Sequence, residues 1–309
     1  MDKKKLNILV LDGGGSKGVY TIGVLKELEL RLGSPLCQHF GLVFGTSTGS
    51  IIAALIALGY EMLEIEKLYL KLIPKIMKKK SRNGRSKALK KQAIKIFGSL
   101  EFDAFKTNIG IVALNFETQM PLIFKTNIQQ AHGMRQSFKS GFGQTIETAL
   151  RCSSAAYPFF EKMKIKTENH GEIEVVDGGF IANNSTLYSM IDAYKALNYE
   201  ESDINLLNVG VGHYIEKSTG LKHKFLKMFR MYNFVEKVLT ANTNSNTITA
   251  KLLFPNLNML RISDSFPELK YGTNMLEFNE KKLKKMIQLG RSSYANYEKE
   301  LESLLGIKN

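Results

Sequence analysis

The chain has 309 residues, 44% of them hydrophobic, enough to bury one large core or a core with a subdomain. Its only cysteines, Cys37 and Cys152, exclude a disulfide scaffold, and no HxxxH, CxxC or clustered-carboxylate pattern argues for a metal or other cofactor. The net charge of +14 points to anionic partners, and the longest apolar run, Ile51 to Leu58, cannot span a bilayer.

In chain order, Met1 to Lys5 is basic, but the apolar run behind it, Leu6 to Leu11, is too short for a signal peptide and reads as a strand. Asp12-Gly13-Gly14-Gly15-Ser16-Lys17-Gly18 follows, and then Ile22, Leu25, Leu28 and Leu32 recur at helical spacing. Consecutive glycines let a backbone approach a ligand, and a helix start leaves N–H groups unpaired. Gly13, Gly14 and Gly15 are therefore candidate oxyanion donors. Lys17 has two readings of equal weight, a helix-start residue paired with a nearby acid or a contact to a substrate phosphate. Gly13, Gly15 and Gly18 also fit a dinucleotide-binding fingerprint, yet the next strand ends Leu42-Val43-Phe44 with no carboxylate to hold a ribose.

That strand, Phe40 to Phe44, runs into Gly45-Thr46-Ser47-Thr48-Gly49 and an apolar helical run from Ser50 to Leu58. A G-x-S-x-G between strand and helix is a nucleophile elbow, with Gly45 and Gly49 where the two elements cross closely and Ser47 presented as nucleophile. Met62 to Ile73 reads as a helix ending at Pro74, followed by a loop around Ser81 to Ser86 and a basic helical pattern with Leu89, Ala93, Ile94 and Phe97. No acid stands between Glu66 and Glu101, so Lys78, Lys79, Lys80, Arg82 and Arg85 mark a candidate segment for anionic lipid or a small anionic ligand. Nucleic acid is disfavoured, because the segment has no aromatic residue before Phe97 to stack a base.

Further on, Glu174-Val175-Val176-Asp177-Gly178-Gly179 places an aspartate at the end of a short strand with glycines removing bulk beside it. Asp177 is a candidate proton acceptor for Ser47. Of His39, His132, His170, His213 and His223, only His213 follows the acid at a strand end, so it is the candidate third member of a triad. A Ser47–Asp177 dyad fits the residues better.

Together, these motifs resemble the patatin-like phospholipases: the Asp-Gly-Gly-Gly-x-Lys-Gly loop, Gly-x-Ser-x-Gly and Asp-Gly-Gly occur in that order. Arg151 to Phe160, with Ser153-Ser154-Ala155-Ala156, is similar to the small-residue stretch lining that family's site, with Tyr157 inserted before Pro158. Leu206 to Gly212 is similar to a later strand ending in Gly-x-Gly. The resemblance covers about residues 6–215 and implies a three-layer α/β fold with a mostly parallel central sheet and helices on both faces. It implies a Ser47–Asp177 dyad, an oxyanion hole at Gly13, Gly14 and Gly15, and hydrolysis of phospholipid acyl esters by a cytoplasmic enzyme peripheral to the membrane. Bacterial relatives of this kind serve as messenger-activated effectors in anti-phage defence, which implies a nucleotide messenger as an alternative partner. A non-catalytic lipid-binding protein is a third reading, against which the intact Ser47 and Asp177 count.

Beyond residue 215, Leu221 to Leu239 reads as a helix that is either amphipathic and interfacial or packed on the core. Ala241 to Thr247 reads as a polar loop or cap, Met259 to Ile262 as a strand, and Asn279 to Leu305 as a final helix or helix pair. No linker or repeat divides the chain, so one domain is expected over residues 1–309.

Overall fold

The computed structural model describes residues 5–132, 138–167, 171–215 and 226–307. The chain runs β1 (Leu6–Leu11), α1 (Gly18–Leu32), β2 (Leu42–Thr46), α2 (Thr48–Ala57), α3 (Met62–Met77), α4 (Arg82–Phe97), β3 (Asn108–Asn115), β4 (Pro121–Lys125) and α5 (Ile146–Ser153). It continues with β5 (Met163–Thr167), β6 (Gly171–Asp177), α6 (Gly179–Ala182), α7 (Thr186–Ile191), β7 (Ile204–Val209), β8 (His213–Tyr214) and α8 (Leu226–Leu253). The last elements are β9 (Asn258–Ile262), β10 (Ser265–Phe266), α9 (Glu280–Asn296) and α10 (Glu298–Leu305).

Alternation along β1 builds the layers. Leu9 and Leu11 point to one face, where they join a core with α1, α2, α3, α9 and α10. Ile8 and Val10 point to the other, against Ala182 of α6 and Met190 of α7. The result is an α/β fold with helices on both faces of a mostly parallel sheet. Paired strands follow the order β5-β6-β3-β2-β1-β7-β9, with β4 also on β3. β1 lies between β2 and β7, parallel to both. The chain leaves β1 first to one side and later to the other, so the glycine loop after β1 sits at the switch point where open α/β sheets hold ligands.

Antiparallel pairing supplies the second positioning device. β4 holds one edge of β3 from Gly110 to Leu114. On the other edge β2 pairs as far as Val112, and β6 takes over at Ala113, opposite Asp177. β6 is antiparallel to β3 while β2 is parallel to it, so the carboxyl ends of β2 and β6 meet head to head. Ser47 and Asp177 are the residues at that meeting point.

Three expectations need correction. The helix over residues 62–73 does not stop at Pro74, because α3 carries it through to Met77. Ser81 to Ser86 is not a loop: Ser81 caps α4 by accepting the Gly84 N–H at 3.0 Å, and Arg82 to Ser86 form its first turns. Ala241 to Thr247 is also helical, the middle of α8, and four of its polar side chains, Asn242, Thr243, Asn246 and Thr247, bond to the segment around Asn183 and Asn184. Asn242 accepts the Asn183 N–H at 2.8 Å, and Thr247 accepts from Asn184 at 2.9 Å. The expected helix from Leu221 begins among residues outside the described ones, which also hold Lys222, His223, Lys224 and Phe225, and His170 lies outside them too. None of the helices among the described residues is long and apolar enough to cross a membrane.

Candidate active site

Ser47 sits between β2 and α2 with φ 54° and ψ −124°, a conformation costly for a residue with a side chain. Surrounding contacts hold it there. Its N–H donates to Ser153 Oγ at 2.9 Å, and that hydroxyl donates to the Val112 carbonyl at 2.6 Å. Gly49 allows the turn because a methyl group there would run into the Leu11 carbonyl oxygen. Gly45 lies against Gly49, and Gly18 opens α1 against Thr48.

Ser47 Oγ donates a 2.6 Å hydrogen bond to Asp177 Oδ2. The other carboxylate oxygen, Oδ1, accepts the Gly179 N–H at 2.7 Å, and Gly178 links the two residues through the tight turn into α6. Asp177 is 4% exposed. Burial pushes its carboxyl up from 3.8 to about 6, against the opposing pull of the Ser47 and Gly179 hydrogen bonds. A base of that strength accepts a proton more readily than an exposed aspartate and is still ionised at neutral pH.

The glycine loop borders the pair. The Gly13 N–H is consumed by the Asn183 carbonyl at 3.1 Å, so the expectation that Gly13 donates to a substrate is corrected. The N–H groups of Gly14 and Gly15 have no partner among the described residues, and both glycines line the cavity that holds Ser47 and Asp177. Gly15 has φ +57°, and a side chain there would meet the Met275 carbonyl.

That cavity encloses about 1020 Å³ including its mouth. Most of its wall is apolar: Leu72, Ile76 and Met77 from α3, Leu89, Ala93 and Phe97 from α4, and Phe159, Phe160 and Leu239. The basic segment is thus the outer side of the cavity wall. Lys78, Lys79 and Lys80 are exposed at its end. Arg82 and Arg85 are engaged within the fold: Arg82 pairs with Glu161 at 2.8 Å, and Arg85 donates to the carbonyls of Phe159 and Lys79, each at 2.8 Å. Tyr157, the insertion before Pro158, is an exposed residue beneath Arg82, with the guanidinium 5.2 Å from its ring.

Lys17 pairs with Glu236 of α8, the helix-start reading of its role. His213 lines an adjoining, smaller cavity with Lys17, Arg261 and Glu236; the two cavities share Gly14 and Asn183, but Ser47 is not part of this lining. Burial, with Arg261 and Lys17 nearby, holds the imidazole below its usual range. The hydroxyl of Ser47 donates to Asp177 and not to His213. Cys152 is buried, which pushes its thiol up to about 12, and no group of three His, Cys, Asp or Glu among the described residues could hold a metal ion.

Two contributors escaped the sequence reading. Ser153 was visible only as a small residue in a small-residue stretch, yet it fixes the elbow. Asn183 ties the glycine loop to α8: its carbonyl accepts from Gly13, its side chain donates to Thr243 at 2.8 Å, and its N–H donates to Asn242.

A family model described as patatin-like phospholipase matches residues 9–190, more than half of the chain. A cUMP-AMP-activated phospholipase of Escherichia coli is 44% identical over 298 residues, covering 96% of this chain and 93% of that protein. A cGAMP-activated phospholipase of Vibrio cholerae is 28% identical over 238 residues, covering 67% of this chain and 64% of the relative. An intracellular phospholipase A2 of Caenorhabditis elegans is 29% identical over 221 residues, 67% of this chain and 19% of the relative.

Proposed function

The chain belongs to the patatin-like phospholipase family, and from that premise we propose that it cleaves acyl esters of membrane phospholipids through Ser47 and Asp177. It is a lipid ester hydrolase. In the proposed reaction Ser47 Oγ attacks the acyl carbonyl and passes its proton to Asp177 Oδ2. The carbonyl oxygen takes up negative charge opposite the Gly14 and Gly15 amides. The tetrahedral species collapses to an acyl-serine, and the leaving alkoxide takes the proton back from Asp177. Water, deprotonated by Asp177, then releases the fatty acid and restores Ser47. The observation carrying this reading is the 2.6 Å Ser47–Asp177 hydrogen bond in the lining of a largely apolar cavity. Fatty acid release from phosphatidylglycerol vesicles, measured with and without a cyclic dinucleotide, tests it: wild type should release acid in at least one arm, and Ser47→Ala should release none in either.

Two finer readings belong to the same proposal. The enzyme acts in the cytoplasm as a peripheral protein, with exposed Lys78, Lys79 and Lys80 facing anionic lipid. Turnover is gated by a cyclic nucleotide messenger, a reading supported by the activators named for the relatives that are 44% and 28% identical. The same vesicle assay, run with and without cUMP-AMP, tests the gate. Equal rates in the two arms would remove it.

A further inference from the structure

The long helix α8 has two unlike faces. Its inner face, including Val235, Thr243 and Ala250, is buried against the chain. On its outer face Phe234, Val238, Ala241, Ser245, Ile248 and Leu252 recur at alternating steps of four and three residues, and all are exposed. Phe234 is 67% exposed, Ile248 58% and Leu252 76%. This spacing is the seam of a coiled coil, which needs a second helix to cover it.

Direction decides between a bilayer and a protein as that cover. Near its start α8 pairs Glu236 with Lys17, beyond the carboxyl end of β1. Past its far end, the Asn256 N–H donates to Glu201, just before β7 begins. α8 therefore runs against the parallel strands. From Phe234 to Leu252 the seam descends about 27 Å along the side of the molecule, away from the strand ends that carry Ser47. A membrane meeting the cavity mouth would touch only the first turns and leave Ile248 and Leu252 in water.

We propose that this seam binds α8 of a second copy of the chain, with the two helices parallel and in register. Phe234, Val238, Ile248 and Leu252 then stack against their own counterparts, while small Ala241 and Ser245 let the backbones approach between them. Lys237 and Lys251 occupy equivalent flanking positions, so antiparallel pairing would set one against the other across the interface. Parallel pairing keeps them apart. The two-fold axis then lies along the helices, and both cavities open toward the same side. The contact does not depend on the proposed activity.

Sedimentation velocity of the full chain over a concentration series reads the association. A dimer is expected, and tighter in high salt, because screening relieves the repulsion between two chains of charge +14. Ile248→Glu with Leu252→Glu should weaken it on the order of 100-fold, with the circular dichroism spectrum and hydrolysis of a small soluble ester unchanged. In a Cys37→Ser background, Leu252→Cys should form a disulfide-linked dimer on oxidation. A monomer at every concentration overturns the proposal, as does a double variant that loses vesicle binding but still self-associates. Disulfides that form only between Phe234→Cys and Leu252→Cys chains would overturn the parallel register.

Discussion

The β2–β6 junction and the α3–α4 pair border the same cavity and are held by different means. At the junction polar atoms are locked in place: Ser47 by Ser153 and Asp177, Asp177 by Gly179, and the glycine loop by Asn183. In α3 and α4 the inner faces hold by apolar contact and the outer faces carry lysines in water, with Arg85 as the polar tie between them. The junction therefore has no neutral positions, whereas α3 and α4 have a sensitive inside and a tolerant outside.

The dyad is the most sensitive part of the junction. Ser47→Ala and Asp177→Asn should each lower ester hydrolysis by on the order of 10⁴ to 10⁶, and the double variant should be little worse, since members of a catalytic unit are not additive. Steady-state rates on a chromogenic ester check this. Gly15→Ala comes next, with an expected loss of about 10² to 10³ in kcat from a displaced oxyanion donor, measured on soluble protein with a native circular dichroism spectrum.

Acid should act through the same carboxylate. Asp177 must be ionised to accept the proton, so the rate should fall as pH drops through about 6 and level off above it. Stability moves the opposite way. The folded carboxyl holds its proton up to about 6 and an unfolded one only to about 3.8, so the folded state binds more protons between those values. Stability should therefore decline as pH rises through that window, by on the order of 3 kcal/mol. Thermal denaturation of Asp177→Asn should show a shallower decline there.

Smaller effects separate the two sides of the α3–α4 pair. Ala93→Trp fills the inner face and should slow long-chain esters about 10- to 100-fold more than a short one. Replacing Lys78, Lys79 and Lys80 by Glu should weaken binding to phosphatidylglycerol vesicles by up to a few kcal/mol, roughly 1 per lysine at the surface. Hydrolysis of a soluble ester should stay within about twofold of wild type. His213→Ala should change that rate least, because Ser47 already has its partner.

Much of the junction was legible in the sequence because its glycines answer steric demands that are local in the chain. Ser47, Asp177 and the loop from Gly13 to Gly15 each stand beside a strand that alternation or apolar run length reveals. The approach of Ser47 to Asp177 was not local: it needs β6 to replace β2 along β3, a pairing that no short pattern encodes. Gly84 after Asn83 read as a turn, yet the Ser81 cap and the Arg85 bonds to the Lys79 and Phe159 carbonyls make it helical. Ala241 to Thr247 read as a loop for a similar reason. Asn242, Thr243, Asn246 and Thr247 look like turn formers until Asn183 and Asn184 appear as their partners.

Activation of Ser47 by Asp177 can be read from covalent labelling with an aryl fluorophosphonate, mapped by peptide mass spectrometry. One phosphonylated residue is expected, Ser47, at a rate that falls with acid through about pH 6 and drops by orders of magnitude in Asp177→Asn. Labelling of a different serine, or undiminished labelling of Ser47 in Asp177→Asn, would contradict it.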